Sequence, residues 1–130
     1  MARLMIIDDD IELADNNAIL LRHHGHEVST LYSTKNAVRK ITASKPDLLI
    51  LDVMFPDNPV GGFDLAREIR NTTAIKELPI LLLTGINQEF PMDFSVGDID
   101  TEWMPVQSFA EKPVKITPLL NIIKSLLKKH

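Results

Sequence analysis

Aspartates stand where two apolar runs of this sequence end. Asp8, Asp9 and Asp10 follow "RLMII" (3–7), and Asp52 closes "LLILD" (48–52). A carboxylate at the end of such a run is costly unless something compensates it. If the two runs lie side by side, Asp8, Asp9 and Asp52 converge, although they are far apart in the chain. Three carboxylates that close repel one another, and a hard divalent cation resolves the repulsion. Few ligands, all oxygen, with water completing the shell, describe Mg²⁺ better than zinc. Two further polar residues end later apolar runs: Thr84 after "PILLL" and Lys112 in "AEKPV". A hydroxyl donor, an ammonium and a metal around a carboxylate suit phosphoryl transfer. They stabilise charge on the equatorial oxygens as the group passes to Asp52, and aspartate is a covalent acceptor of phosphoryl groups. Each of these residues taken singly has an ordinary structural role. Asp10 in particular reads as the N-cap of the first helix. The constellation carries the inference.

The elements that must position these residues alternate. A strand over 3–7 precedes a helix over 11–24, with Ile11, Ala14, Ala18 and Leu21 on one face and Gly25 at its end. "HEVSTL" (26–31) reads as a weaker strand. Ser33 is the expected N-cap of a second helix through Ala37 and Ile41 that stops before Pro46. "DLLIL" (47–51) has the continuous apolar character of a central parallel strand. Phe63, Ala66 and Ile69 mark a third helix ending near Arg70, and "PILLLT" (79–84) is another buried strand. "VQSFAE" (106–111) is the last strand. Thr117 is the expected cap of a closing helix, with Pro118 at its first position and Leu119, Ile123 and Leu126 inward. Five strand–helix units predict an α/β fold: a doubly wound, five-stranded parallel sheet with helices on both faces. The flavodoxin-like strand order 2-1-3-4-5 places the ligand crevice beyond the carboxyl ends of strands 1 and 3, where the aspartates stand.

The bulk numbers agree with one domain over residues 1–130. Hydrophobic residues make up 45% and charged residues 25%, an ordinary globular composition. The net charge of −4 argues against non-specific nucleic-acid or anionic-membrane binding. The absence of cysteine excludes disulfides and thiolate zinc sites. No secretory signal and no membrane-length apolar run is present, so a cytoplasmic address is expected. His23, His24 and His26 do not read as a metal site, because two of them suit the positive charge welcomed at a helix C-terminus.

"IIDDD", "PDLLILDVMFP", "PILLLTG" and "FAEKPV", in this order, resemble the receiver domain of two-component response regulators over nearly the whole chain. The resemblance implies that Asp52 is the phosphoacceptor, charged by a sensor histidine kinase or a histidine phosphotransfer protein. It implies Mg²⁺ bound by Asp9, Asp52 and the backbone carbonyl of Met54, with Asp8 acting mostly through water. Thr84 would hydrogen-bond the phosphoryl group and Lys112 would pair with it. Thr84 and Phe109 would form the switch, and the Lys112–Pro113 bond would be cis. The product is a signal, so no enzyme activity is expected beyond self-catalysed phosphotransfer and dephosphorylation. Met54 and Ile86 are apolar and are expected to hinder the attacking water. An output domain or downstream protein is the expected target, and a homodimer is compatible with the family. No helix-turn-helix follows residue 130, which fits a stand-alone receiver or one cut from a larger regulator.

Two stretches depart from the family pattern. "PDNPVGG" (56–62) is about two residues longer than the usual short loop there and is expected to shape which phosphodonor docks. Between Ile86 and Ser108 there is no Lys or Arg, and Pro91, Gly97 and Pro105 oppose a helix. The helix between the fourth and fifth strands is therefore expected to be short, displaced or replaced by a loop. That change puts the dimer mode in question. Rival readings are a phosphorylation-independent pseudo-receiver acting as an interaction module, a Mg²⁺-dependent hydrolase and an FMN binder. The last is disfavoured because an acidic crevice repels the flavin phosphate.

Overall fold

A computed structural model describes residues 2–56, 58, 61–85, 108–112 and 115–128, without the side chains of Thr84, Gly85, Phe109, Glu111 and Lys112. In chain order the elements are β1 (Arg3–Ile7), α1 (Ile11–His23), β2 (Glu27–Leu31), α2 (Ala37–Ser44), β3 (Leu48–Asp52) and α3 (Gly61–Arg70). A 3₁₀ turn (Thr73–Ile75), β4 (Ile80–Gly85), β5 (Ser108–Lys112) and α4 (Ile116–Lys128) follow. The five strands form one sheet in the order β2-β1-β3-β4-β5, and every pairing is parallel. The expected fold is therefore observed. The segment expected to carry an irregular helix between β4 and β5 lies outside the described residues.

Strand side chains alternate between faces, and each face has its own core. Met5, Ile7, Leu49 and Leu51 pack with Ile41, Phe63, Ala66 and Ile69 from α2 and α3. Leu4, Ile6, Leu48 and Ile50 pack with Ala14, Ala18, Leu21, Leu119 and Ile123 from α1 and α4. Coverage on both faces explains why β3 is uninterruptedly apolar up to Asp52. Removing a side chain such as Ile50 from this interior would cost about 2–5 kcal/mol.

Helix boundaries show where side-chain chemistry overrides periodicity. Asp10 caps α1 as expected, its Oδ1 accepting from the Leu13 amide at 3.0 Å. Gly25 follows the helix with φ 95°, the left-handed conformation that closes helices. Ile11, however, is 54% exposed. The buried stripe of α1 is Ala14, Asn17, Ala18 and Leu21. Ile11 lies on the same face by spacing, but one turn beyond the buried stripe.

Ser33 does not cap α2. Its Oγ accepts from the Lys35 amide at 3.4 Å, and the cap position falls to Asn36, in a left-handed conformation at φ 57°. Asparagine tolerates that conformation, and the extra turn delays the helix. α2 ends with Lys45, also left-handed, ahead of Pro46. α4 begins at Ile116, one residue before Thr117, with the Lys115 carbonyl accepting from the Leu119 amide at 3.1 Å. Thr117 therefore lies in the first turn and is not the cap. Leu119, Ile123 and Leu126 face inward as expected.

Candidate functional site

Parallel strands bring all five carboxyl ends to one edge of the sheet. The β1–β3 register ends at Ile7 opposite Leu51, and the next residue on each strand is Asp8 or Asp52. The Asp8 amide donates to the Leu31 carbonyl at 3.0 Å, which extends the β1–β2 pairing by one residue. Its Oδ1 accepts from the Asp10 amide at 2.9 Å, an Asx turn that bends the chain into α1. Asp8 and Asp52 are 1% and 3% exposed, while Asp9 is open to solvent. Each of Asp8, Asp9 and Asp52 offers a carboxylate oxygen, all within 4.8 Å of one another. Like charges at that spacing repel by roughly 3 kcal/mol per pair at an effective dielectric of about 20. An all-oxygen, threefold anionic donor set fits a hard divalent cation and suits neither a soft metal nor an anionic ligand.

The other expected site residues reach the same edge by backbone register. Asp52 pairs with Leu83 of β4. Thr84 pairs with Glu111 and Gly85 with Lys112 on β5, and Phe109 pairs with Leu82. Thr84 and Lys112 thus occupy the carboxyl ends of the two strands beyond β3. The Lys112–Pro113 bond and Ile86 lie outside the described residues. Met54 is 38% exposed, and its backbone lies in the loop that leaves β3.

Sequence reading did not single out Gly62. Its amide, in the first turn of α3, donates to the Val53 carbonyl at 2.8 Å. A Cβ on this residue would overlap the Asp52 carbonyl oxygen and stand 2.8 Å from Val53 Cα. Glycine is what allows α3 to start directly against the backbone of Asp52. By sequence Gly61 and Gly62 belong to the loop "PDNPVGG" (56–62), whereas the structure places both in the first turn of α3.

The sequence profile of the response regulator receiver domain matches residues 4–124. The chain belongs to this family. Among relatives of this receiver domain, the transcriptional regulatory protein AfsQ1 of Streptomyces coelicolor is 36% identical over 97 residues, covering 75% of this chain and 40% of that protein. The matched stretch thus spans only about 40% of the length of that relative. A solved structure from Chloroflexus aurantiacus J-10-fl superposes with a TM-score of 0.81 at 29% identity and covers 98% of both chains. A two-component response regulator from Clostridium difficile superposes at 0.80 with 25% identity, covering 98% of this chain and 97% of its own. No helix among the described residues of the receiver is long and apolar enough to cross a membrane.

Proposed function

We infer that this receiver accepts a phosphoryl group on Asp52 from a phosphohistidine donor and converts it into an altered partner-binding surface. The observation that carries the reading is the convergence of Asp8, Asp9 and Asp52 at the end of β1 and β3. An Asp52 carboxylate oxygen attacks phosphorus, the P–N bond of the donor breaks, and the imidazole leaves with the bonding pair and takes up a proton. The product is an acyl phosphate with nearly two negative charges. Asp9, Asp52 and the Met54 carbonyl would hold Mg²⁺, with Asp8 acting mostly through water, and the cation would supply charge neutralisation for the transferring group. Thr84 and Lys112, at the ends of β4 and β5, are assigned to hydrogen-bond and pair with the phosphoryl oxygens, and Phe109 to the accompanying switch. The chain acts as a signalling domain whose only turnover is its own phosphorylation and hydrolysis. Its address is cytoplasmic. Its partners are a sensor kinase or phosphotransfer protein on the input side and an output domain or downstream protein on the other.

The test is transfer from acetyl phosphate and from a phosphorylated kinase, with and without Mg²⁺, for the wild type and Asp52→Asn. Calorimetric Mg²⁺ titration and beryllofluoride-induced amide shifts accompany it. Mg²⁺-dependent labelling lost in Asp52→Asn is expected. A folded protein that neither binds Mg²⁺ nor responds to beryllofluoride would instead be a pseudo-receiver.

A further inference from the structure

We propose that the Asn58 side chain is a positioning group for the cation site, because it ties to α3 the backbone bridge that fixes the direction of the Met54 carbonyl. This rests on the reading of the site given above, in which that carbonyl is a ligand. The chain leaving β3 is held at successive peptides. The Val53 amide donates to the Leu83 carbonyl at 3.2 Å, and the Val53 carbonyl accepts from the Gly62 amide at 2.8 Å. The Phe55 amide then donates to the Asn58 carbonyl at 3.0 Å, and the Asn58 amide returns a bond to the Phe55 carbonyl, also at 3.0 Å. Phe55 and Asn58 thus form an antiparallel bridge in miniature, and the buried Phe55 ring anchors it in the core.

The Phe55 amide and the Met54 carbonyl belong to one planar peptide unit. In a trans unit the N–H and C=O point in opposite directions. The bond to Asn58 therefore sets the Met54 carbonyl direction before any cation arrives. Asn58 is itself tied to α3. Its Nδ2 donates to Asp64 Oδ2 at 2.7 Å, a charge-assisted bond, and its carbonyl also accepts from the Gly61 amide at 3.0 Å. A ligand whose orientation is fixed in advance loses less freedom on binding. The Phe55–Asn58 bridge is in this way a brace on the Met54 carbonyl.

The test compares wild type, Asn58→Ala and Asp64→Ala. Calorimetry gives the Mg²⁺ dissociation constant, and acetyl-phosphate labelling is followed against Mg²⁺ concentration. Each single variant is expected to weaken Mg²⁺ binding by roughly 3- to 10-fold, below the full value of a charge-assisted bond because the pair is exposed. The double variant should be no weaker than either single one. Saturating Mg²⁺ should restore full labelling, which a merely structural defect would not allow. Wild-type Mg²⁺ affinity in both single variants overturns the role of Asn58 and leaves the site standing. Labelling that saturating Mg²⁺ fails to restore also overturns that role. A wild type that binds no Mg²⁺ overturns the site and this role together.

Discussion

Gly62→Ala sets two physical effects against each other. Helix propensity favours alanine over glycine by about 1 kcal/mol, so an isolated α3 would gain from the change. In the folded protein the new methyl overlaps the Asp52 carbonyl oxygen and lies 2.8 Å from Val53 Cα and 3.0 Å from the Asp52 carbonyl carbon. All three are backbone atoms of β3 and its exit, so no rotamer relieves the overlap. Either α3 or the end of β3 must move by on the order of 1 Å, at the upper end of overpacking penalties or beyond, about 3 kcal/mol. The net expectation is a loss of roughly 2–3 kcal/mol, or about 8–12 °C in thermal midpoint for a chain of this size. Gly61→Ala is the control, because its Cβ would meet only side-chain atoms, the Phe55 ring at 3.0 Å and the Phe55 and Asn58 Cβ atoms at 3.6 Å, and no backbone. That variant should stay within about 1 kcal/mol of wild type. Urea unfolding followed by circular dichroism measures both. A Gly62→Ala protein as stable as Gly61→Ala would refute the close approach of α3 to Asp52.

Two further outcomes follow from features away from the site. Partial burial holds the His26 imidazole below its ordinary value of 6.5, and its Nδ1 accepts from the Ala2 amide at 3.2 Å. The unfolded chain therefore binds the proton more readily, and the stabilisation is present above about pH 6.5 and lost as pH falls below it. Wild type should lose stability relative to His26→Asn between pH 7 and pH 5, and parallel urea midpoints across that range would exclude the effect. On α1, Ile11→Ser should change stability by less than about 0.5 kcal/mol, while Leu21→Ala should cost about 2–5 kcal/mol. Equal losses in chemical denaturation would mean that the face of α1 has been misassigned.

The sheet was readable because its central strands are apolar without interruption, and because Asp8, Asp9 and Asp52 stand where those runs stop. Parallel pairing turns that coincidence of strand ends into proximity. The errors share a cause. Periodicity tells which face of a helix a residue occupies and says nothing of how far along that face burial extends, which is why Ile11 shares a face with Ala14, Ala18 and Leu21 and is nevertheless exposed. Ser33 was a reasonable cap by residue type, but the left-handed turn at Asn36 depends on backbone angles that residue type leaves open. The brace at Asn58 was invisible for a different reason. It consists mostly of main-chain bonds, which leave little trace in side-chain identity.

The stepwise register has a geometric consequence for how such a protein can vary. From β3 to β5 the distance through the sheet is two strand spacings, about 10 Å, whatever the number of residues in the connection between β4 and β5. Ladder bonds set the separation of Asp52 and Lys112, and the tether linking them along the chain does not enter it. The sequence between β4 and β5 is thus free to lengthen or change composition while the rungs keep their places.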